Sequence, residues 1–468
     1  MRRLFPLLAL ACVAATALTS AGAAANRMWV GFHDDPVLRF DPGRQEGLDR
    51  ARQNNATIVR TLVEWHKVAP TRPANPGDPF DPTYQFDDLD ELVRGAQARD
   101  MEVLITIWGT PAWANGNRTP QYAPKRMSDF QVFAQAVAAR YSGRYAGYPF
   151  VGFYGIWNES NLATFLRPQF NSKGKIVSPA LYAKLAAAGY AGVKAGNPRA
   201  LVAIGETSSN GRNKKGRGTD TVAPATFAQG VAKANKRLRF DAWAQHPYPA
   251  PVNQKPTQKV RYPNVNLVTL KQLEKDLDTW FGRKNIPIWI TEYGHETKPG
   301  EPKGVTESQQ AAYVRQALTM ARKDPRVQMF VWFVMQDSQG SLWQSGIYRN
   351  DASPKPAEPR FAATAAGLDA RNGELRVRGG ARNPSTPVSV RSFCANNPTG
   401  TTVGSTTRVS LGSQLVGVRQ AALPLGIDCT VRVLLPVAVE KGKSYRAVIE
   451  LNTANGGFAT RTITVVGV

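Results

Sequence analysis

Two glutamates end apolar runs, and their surroundings suit one chemistry. Glu159 closes Phe153-Tyr154-Gly155-Ile156-Trp157-Asn158, and Glu292 closes Ile286-Pro287-Ile288-Trp289-Ile290-Thr291. Two carboxyls facing one cleft can split a glycosidic bond: one protonates the leaving oxygen while the other attacks the sugar or activates water. Trp65, Trp108 and Trp113 follow other strand-like runs, and sugars stack their C–H faces on such rings. Each residue also has a plainer use. A lone strand-end glutamate is commonly a salt-bridge partner, and strand-end aromatics plug cores as often as they carry sugars. The matched pair is what points to catalysis. Glu64 and Glu206 end further runs, and salt bridging is the use expected of both.

Such a pair works only if the fold brings it together. From Met28 onward, β-branched and aromatic runs alternate with amphipathic stretches, and eight runs can be counted: 28–33, 57–63, 102–108, 150–157, 200–205, 240–246, 286–291 and 327–335. Between them Phe130, Phe133, Val137 and Tyr141, and again Leu270, Leu273, Leu277 and Trp280, recur at helical spacing. Eight strand–helix units over 26–365 predict an α/β fold, the (β/α)8 TIM barrel, whose functional groups project from the C-terminal strand ends. Glu159 and Glu292 then belong to strands 4 and 7, across the barrel mouth from each other. A doubly wound sheet lacks its phosphate turn, since no Gly-x-Gly-x-x-Gly follows the first strand. Beyond residue 365 alternation replaces helical periodicity, and 366–468 reads as a C-terminal all-β immunoglobulin-like sandwich, an accessory domain.

Residues 1–25 read as a signal peptide: Arg2-Arg3, an apolar run over 4–18, then small residues at the cleavage site. The expectation is a secreted protein. A lipid anchor on Cys12 is the rival, disfavoured by the short apolar run before it. Cys394 and Cys429 then remain, and in an oxidising compartment they predict one disulfide, closing a loop of roughly 35 residues and worth ~3–4 kcal/mol. No later stretch reaches the length of a membrane span.

The chain carries 59 Lys+Arg against 35 Asp+Glu, a formal charge of +24. Some of that excess falls on the expected catalytic face, with Arg212, Lys214, Lys215 and Arg217 after strand 5 and Lys255, Lys259 and Arg261 after strand 6. These bases either recruit an anionic polymer or are solvated loops of a generally basic protein; the second is favoured because the β region is basic too. Nucleic acid is not an expected partner, as no binding motif is recognisable and the leader points outward. No cofactor is implied. Of four histidines, only His33-Asp34-Asp35 suggests metal, and no His-x-x-x-His or His-Glu-x-x-His spacing supports it. Serine hydrolysis lacks its Gly-x-Ser-x-Gly elbow.

At the two glutamates the sequence resembles clan A of the retaining glycoside hydrolases, which includes families 5 and 39, the cellulase-like and xylosidase-like barrels. The resemblance covers roughly residues 26–365. Trp157-Asn158-Glu159-Ser160-Asn161 resembles the strand-4 Asn-Glu motif, which implies Glu159 as acid/base and Asn158 as a contact to the sugar 2-hydroxyl. Ile290-Thr291-Glu292-Tyr293-Gly294 resembles the strand-7 motif and implies Glu292 as nucleophile. Arg60, His246-Pro247-Tyr248 and Trp332 match supporting positions. Their implied roles are to orient the nucleophile, to hydrogen-bond near both carboxylates, and to floor the catalytic subsite. Ser160 stands where family 5 usually carries proline.

Elementary electrostatics agrees with those roles. Arg60 and the Tyr248 hydroxyl beside Glu292 would keep it ionised, and an apolar wall with a second carboxylate nearby would keep Glu159 protonated. The function expected is hydrolysis of a poly- or oligosaccharide by the retaining route. The alternatives are a non-catalytic carbohydrate-binding barrel, disfavoured because both glutamates are present, and a surface structural or adhesion protein, disfavoured because no repeated sandwich or wall anchor is seen.

Overall fold

The computed structural model describes residues 28–365 apart from 100, 217–218 and 341–342, and beyond them 387–391, 402–424, 430–434, 437, 440, 442–453 and 458–466. Eight parallel strands close into a barrel in sequence order. They are β1 (Trp29–His33), β2 (Ile58–Glu64), β3 (Glu102–Trp108), β4 (Phe153–Ile156), β5 (Leu201–Thr207), β6 (Ala242–Gln245), β7 (Ile288–Tyr293) and β8 (Val327–Phe333), and β1 pairs with β8 to shut the ring. Every run expected from the sequence holds one of them. Eight helices cover the outside: α1 (Arg44–Gln53), α2 (Asp87–Gln97), α3 (Met127–Arg140), α4 (Ser178–Gly196), α5 (Pro224–Ala234), α6 (Leu270–Phe281), α7 (Glu307–Lys323) and α8 (Ala357–Ala365). Local chemistry sets some of their ends. Thr306 and Gln309 form a reciprocal capping box at the start of α7, satisfying two otherwise orphaned backbone N–H groups. Asp87, Asp88 and Asp90 occupy the first turn of α2, where the helix dipole favours negative charge.

Strand alternation sorts side chains into two layers. Val59, Val103, Ile105, Ile204, Ile290 and Phe330 face outward into the core shared with the helices. Ile58, Leu104, Ala203, Trp289, Met329 and Val331 face inward and plug the barrel. Two residues beyond that plug, the same inward rows turn polar at Arg60 and Thr106. This is the layer that meets the cleft.

Two breaks in the alternation bear on the site. In β5, Gly205 pairs with Ala244 and Thr207 with Gln245, so Glu206 is an extra residue, held at φ +43°. In β7, Ile290 pairs with Phe330 and Tyr293 with Trp332, so Thr291 and Glu292 together face a single position of β8. Alternation would send Glu206 and Glu292 outward, and the bulges re-aim both into the barrel.

The C-terminal region is antiparallel β structure, as expected. A four-stranded sheet runs in the order β11 (Gln414–Pro424), β10 (Thr402–Leu411), β13 (Ser444–Thr453), β14 (Phe458–Val466), and a two-stranded sheet pairs β12 (Thr430–Leu434) with β9 (Pro387–Arg391). The leader, Cys394, Cys429 and Arg217 lie outside the described residues. Among the described residues no helix is long and apolar enough to cross a membrane.

Candidate active site

The cleft at the C-terminal end of the barrel has a volume of about 860 Å³, and Asn158, Glu159, Tyr248 and Glu292 all line it. Arg60 organises its floor from a fully buried position on β2. All five of its N–H groups are used. Nη1 donates to Glu292 Oε1 at 2.6 Å and to His33 Nδ1 at 2.7 Å, and Nη2 donates to Glu206 Oε2 at 2.5 Å and Asn158 Oδ1 at 2.9 Å. Nε donates to Thr106 Oγ1 at 3.1 Å, and that hydroxyl passes its own hydrogen to Glu206 Oε1 at 3.0 Å. Since Arg60 donates to His33 Nδ1, the histidine proton sits on Nε2, facing Asp35 Oδ2 at 3.6 Å.

His246, just past β6, lies among the three carboxylates. Its Nδ1 is 3.1 Å from Glu159 Oε1 and 3.5 Å from Glu292 Oε2, while Nε2 is 3.0 Å from Thr291 Oγ1 and 3.7 Å from Glu206 Oε2. Burial opposes its charge, but the carboxylates, Glu292 foremost, outweigh that and raise it to about 9. The Tyr248 hydroxyl donates to Glu292 Oε2 at 3.0 Å.

The two lining glutamates are driven apart. Burial raises Glu159 above the ordinary carboxylate range, and the Glu292 charge adds to this against the pull of His246. For Glu292 burial is overcome by His246 and Arg60, which hold its carboxyl well below that range. The two carboxyls are thus biased in opposite senses, Glu159 toward holding a proton that it can give and Glu292 toward the carboxylate that can attack. Oxygen atoms of Glu159 and Glu292 and a ring nitrogen of His246 lie within 4.8 Å of one another, a spacing that could suit a cation. The Arg60 guanidinium, bonded to Glu292, sets a fixed positive charge against a cation there.

The aromatic residues divide. Trp332, expected beneath the catalytic subsite, is buried outside the cleft lining: it faces outward on β8, packs on Tyr293 at 5.9 Å and donates from Nε1 to the Ser345 carbonyl. Alternation from Met329 and Val331 brings Phe333 inward instead. Phe333 lines the cleft with Trp343, whose ring meets Phe333 at 5.8 Å and Tyr248 at 5.0 Å. Trp108 sits behind Phe165, 5.2 Å between ring centres, and Phe165 rather than Trp108 lines the cleft. Trp65 is a core plug stacked on Phe133 at 5.3 Å, and Trp113 packs edge-on against it. Glu206 and Glu64 are salt-bridged as expected, to Arg60 and Lys67. Of the basic residues after β5 and β6, Arg212 lines the cleft, while Lys214, Lys215, Lys255, Lys259 and Arg261 are exposed away from it.

These shifts predict how stability varies with pH. His246, raised from 6.5 to about 9, Glu274, raised by burial from 4.5 to about 8, and Glu296, raised by burial from 4.5 to about 7, all hold protons more tightly when folded. Each stabilises the fold fully below its unfolded pKa and loses that contribution as pH rises through the folded one. The thermal midpoint should therefore be higher at pH 5.5 than at pH 9. A midpoint that climbs across that interval would contradict the assignment.

In overall structure the chain is similar to a family 39 glycoside hydrolase from Bacteroides cellulosilyticus WH2, at 19% identity over 92% of this chain and 82% of that one, TM-score 0.52. It is also similar to a glucosidase from Croceicoccus marinus, at 13% identity over 91% and 95%, TM-score 0.56. A third similar structure is a GH5_18 protein from Streptomyces cattleya in complex with GlcNAc, at 16% identity over 77% and 83%, TM-score 0.53. At such identities these likenesses speak for the shared fold. No curated protein matches the chain in sequence. The sequence profile described as Cellulase (glycosyl hydrolase family 5) matches residues 28–338, which is most of the chain and the whole run of barrel strands. The chain belongs to the cellulase family, glycosyl hydrolase family 5, and is an O-glycosyl hydrolase of the clan A barrel type.

Proposed function

We propose that the protein is a secreted retaining hydrolase that cleaves a poly- or oligosaccharide by double displacement, with Glu292 as nucleophile and Glu159 as acid/base. The observation that carries this is the close, oppositely tuned pair. An oxygen of each lies within 4.8 Å of one of the other, which supports the ~5–5.5 Å carboxyl separation of retaining enzymes over the ~6.5–9.5 Å gap of inverting ones. In the first step a Glu292 oxygen bonds to the anomeric carbon while Glu159 gives its proton to the glycosidic oxygen, and the bond to the leaving sugar breaks. Glu159 is then an anion 3.1 Å from the charged His246 ring, which stabilises it. In the second step Glu159 takes a proton from water, the water oxygen bonds to the anomeric carbon, and the Glu292 ester breaks.

The cleft walls support a sugar ligand. Phe333, Trp343 and Tyr248 on one side and Phe165 on the other offer ring surfaces to C–H faces, and Asn158 is placed for a hydroxyl. Secretion rests on the reading of residues 1–25. Among the described residues of the basic loops after β5 and β6 only Arg212 lines the cleft, so neutral glycans are the favoured class.

The test begins with chromogenic β-glycosides and a panel of neutral and uronate-bearing polysaccharides. On the best substrate, Glu159→Ala should lower kcat/KM by ~10²–10⁴-fold, as loss of a general acid does. On an aryl glycoside with a good leaving group it should lose far less, because that bond breaks without protonation. Equal losses on both would remove Glu159 from the acid role.

A further inference from the structure

Beneath the two facing carboxylates lies a third that bond cleavage does not call for. Glu206 is fully buried and is not among the cleft-lining residues, so no sugar touches it. The fold is nevertheless arranged to admit it. The β5 bulge turns it inward at φ +43°, and Gly155 on β4 leaves the space its carboxylate fills, since a Cβ there would stand 2.0 Å from Glu206 Oε1. Burying a charge is costly unless it is paired, and this one is paired twice. The groups facing it are Arg60 from β2, Thr106 from β3, His246 from beyond β6, and Tyr182 from α4. The Tyr182 hydroxyl is occupied by the Gly205 N–H and the Ile156 carbonyl.

We propose that Glu206 is a positioning residue that sets the proton inventory of the site: its charge balances Arg60 and His246, so that the hydrogen-bonded His246–Glu159 pair keeps its protons at working pH. The arithmetic of charge makes this concrete. Two cations, Arg60 and protonated His246, face two anions, Glu206 and Glu292, with Glu159 biased toward its protonated form and His33, on β1 beside Arg60 and Glu292, paired with Asp35. With Glu206 uncharged, the same buried space holds an excess positive charge. It is relieved by releasing one proton at lower pH, from His246 or from the Glu159 it shares a hydrogen bond with.

The experiment has two arms. Only four histidines exist in the chain, so nitrogen-15 NMR can follow His246 directly. In the native protein its ring should stay doubly protonated at pH 7 and titrate near 9. In Glu206→Gln that titration should move down by at least about one unit, a tenfold change in proton affinity, and Glu206→Asp, which keeps the charge, should restore most of it. The alkaline limb of kcat/KM on an aryl glycoside should move down with it. A native His246 titrating at the unperturbed value of about 6.5 overturns the proposal even where the variants fail to fold. A folded Glu206→Gln with lowered kcat but unmoved titration and limb also overturns it, leaving Glu206 a brace for Arg60. The activity arm rests on the acid/base reading of Glu159, whereas the NMR arm does not. Absence of turnover on any glycoside would therefore count against the proposed function and leave this inference to the spectrum.

Discussion

Replacing Glu292 with alanine should reduce kcat by about 10⁴-fold or more, the scale on which covalent catalysis fails when its nucleophile is removed, or roughly 5 kcal/mol of transition-state stabilisation. The substitution also leaves Tyr248 and one Arg60 N–H without an acceptor, and frees a carboxylate-sized space on one face of the sugar. Azide can occupy that space. Acting from the face where Glu292 stood, it should restore turnover and give a glycosyl azide of inverted configuration. Azide added to Glu159→Ala should instead give the retained product, since there the Glu292 ester still forms first. Kinetics with and without azide, and NMR of the azide products, separate the two cases. Identical behaviour of the two variants would dissolve the division of roles.

Arg60→Ala should be the most damaging change away from the reacting atoms. It strands two buried carboxylates, Glu206 and Glu292, and strips donors from His33, Asn158 and Thr106. Breaking a buried ion pair by removing one partner typically costs ~3–5 kcal/mol, because the other charge stays desolvated. Loss of orientation at Glu292 should lower kcat/KM by a further ~10²-fold or more. Arg60→Lys is not a remedy, since one ammonium cannot reproduce five N–H groups in a fixed fork. Denaturant unfolding of the variant measures the first effect and kinetics on the folded fraction the second. A loss of stability below ~1 kcal/mol would mean the network is solvated and the buried-pair argument fails.

How much of this was legible in the sequence follows from what alternation can and cannot say. Period-2 and period-3.6 patterns located all eight barrel strands, with ends displaced by a few residues, and the β character of the C-terminal region. They also put Glu159 and Glu292 at the mouth. What they could not supply is the pair of bulges. By strict alternation Glu292 faces the helices alongside Ile290, and only the two-against-one pairing with β8 turns it in. The salt bridge expected of Glu206 is present, but its partner is the central arginine because Gly205 and the bulge swing it inward. The same counting applied to β8 would have found Phe333: from Met329 and Val331 the inward row reaches 333, so Trp332 had to face out. Trp343 comes from a loop ten residues further on, and no local period announces it. The run His33-Asp34-Asp35 suggests metal in sequence, whereas the structure uses the His33 Nδ1 as an acceptor for Arg60.

The central claim is double displacement through a Glu292 ester, and its most direct measurement is the configuration of the product when first released. Proton NMR can follow hydrolysis of the best β-glycoside, with enzyme enough to outpace mutarotation. The close Glu159–Glu292 pair predicts that the β-anomer appears first and the α-anomer grows in only as the solution equilibrates. If the α-anomer appears first, water attacks the sugar directly, Glu292 is not a nucleophile, and the mechanism argued from this cleft is wrong.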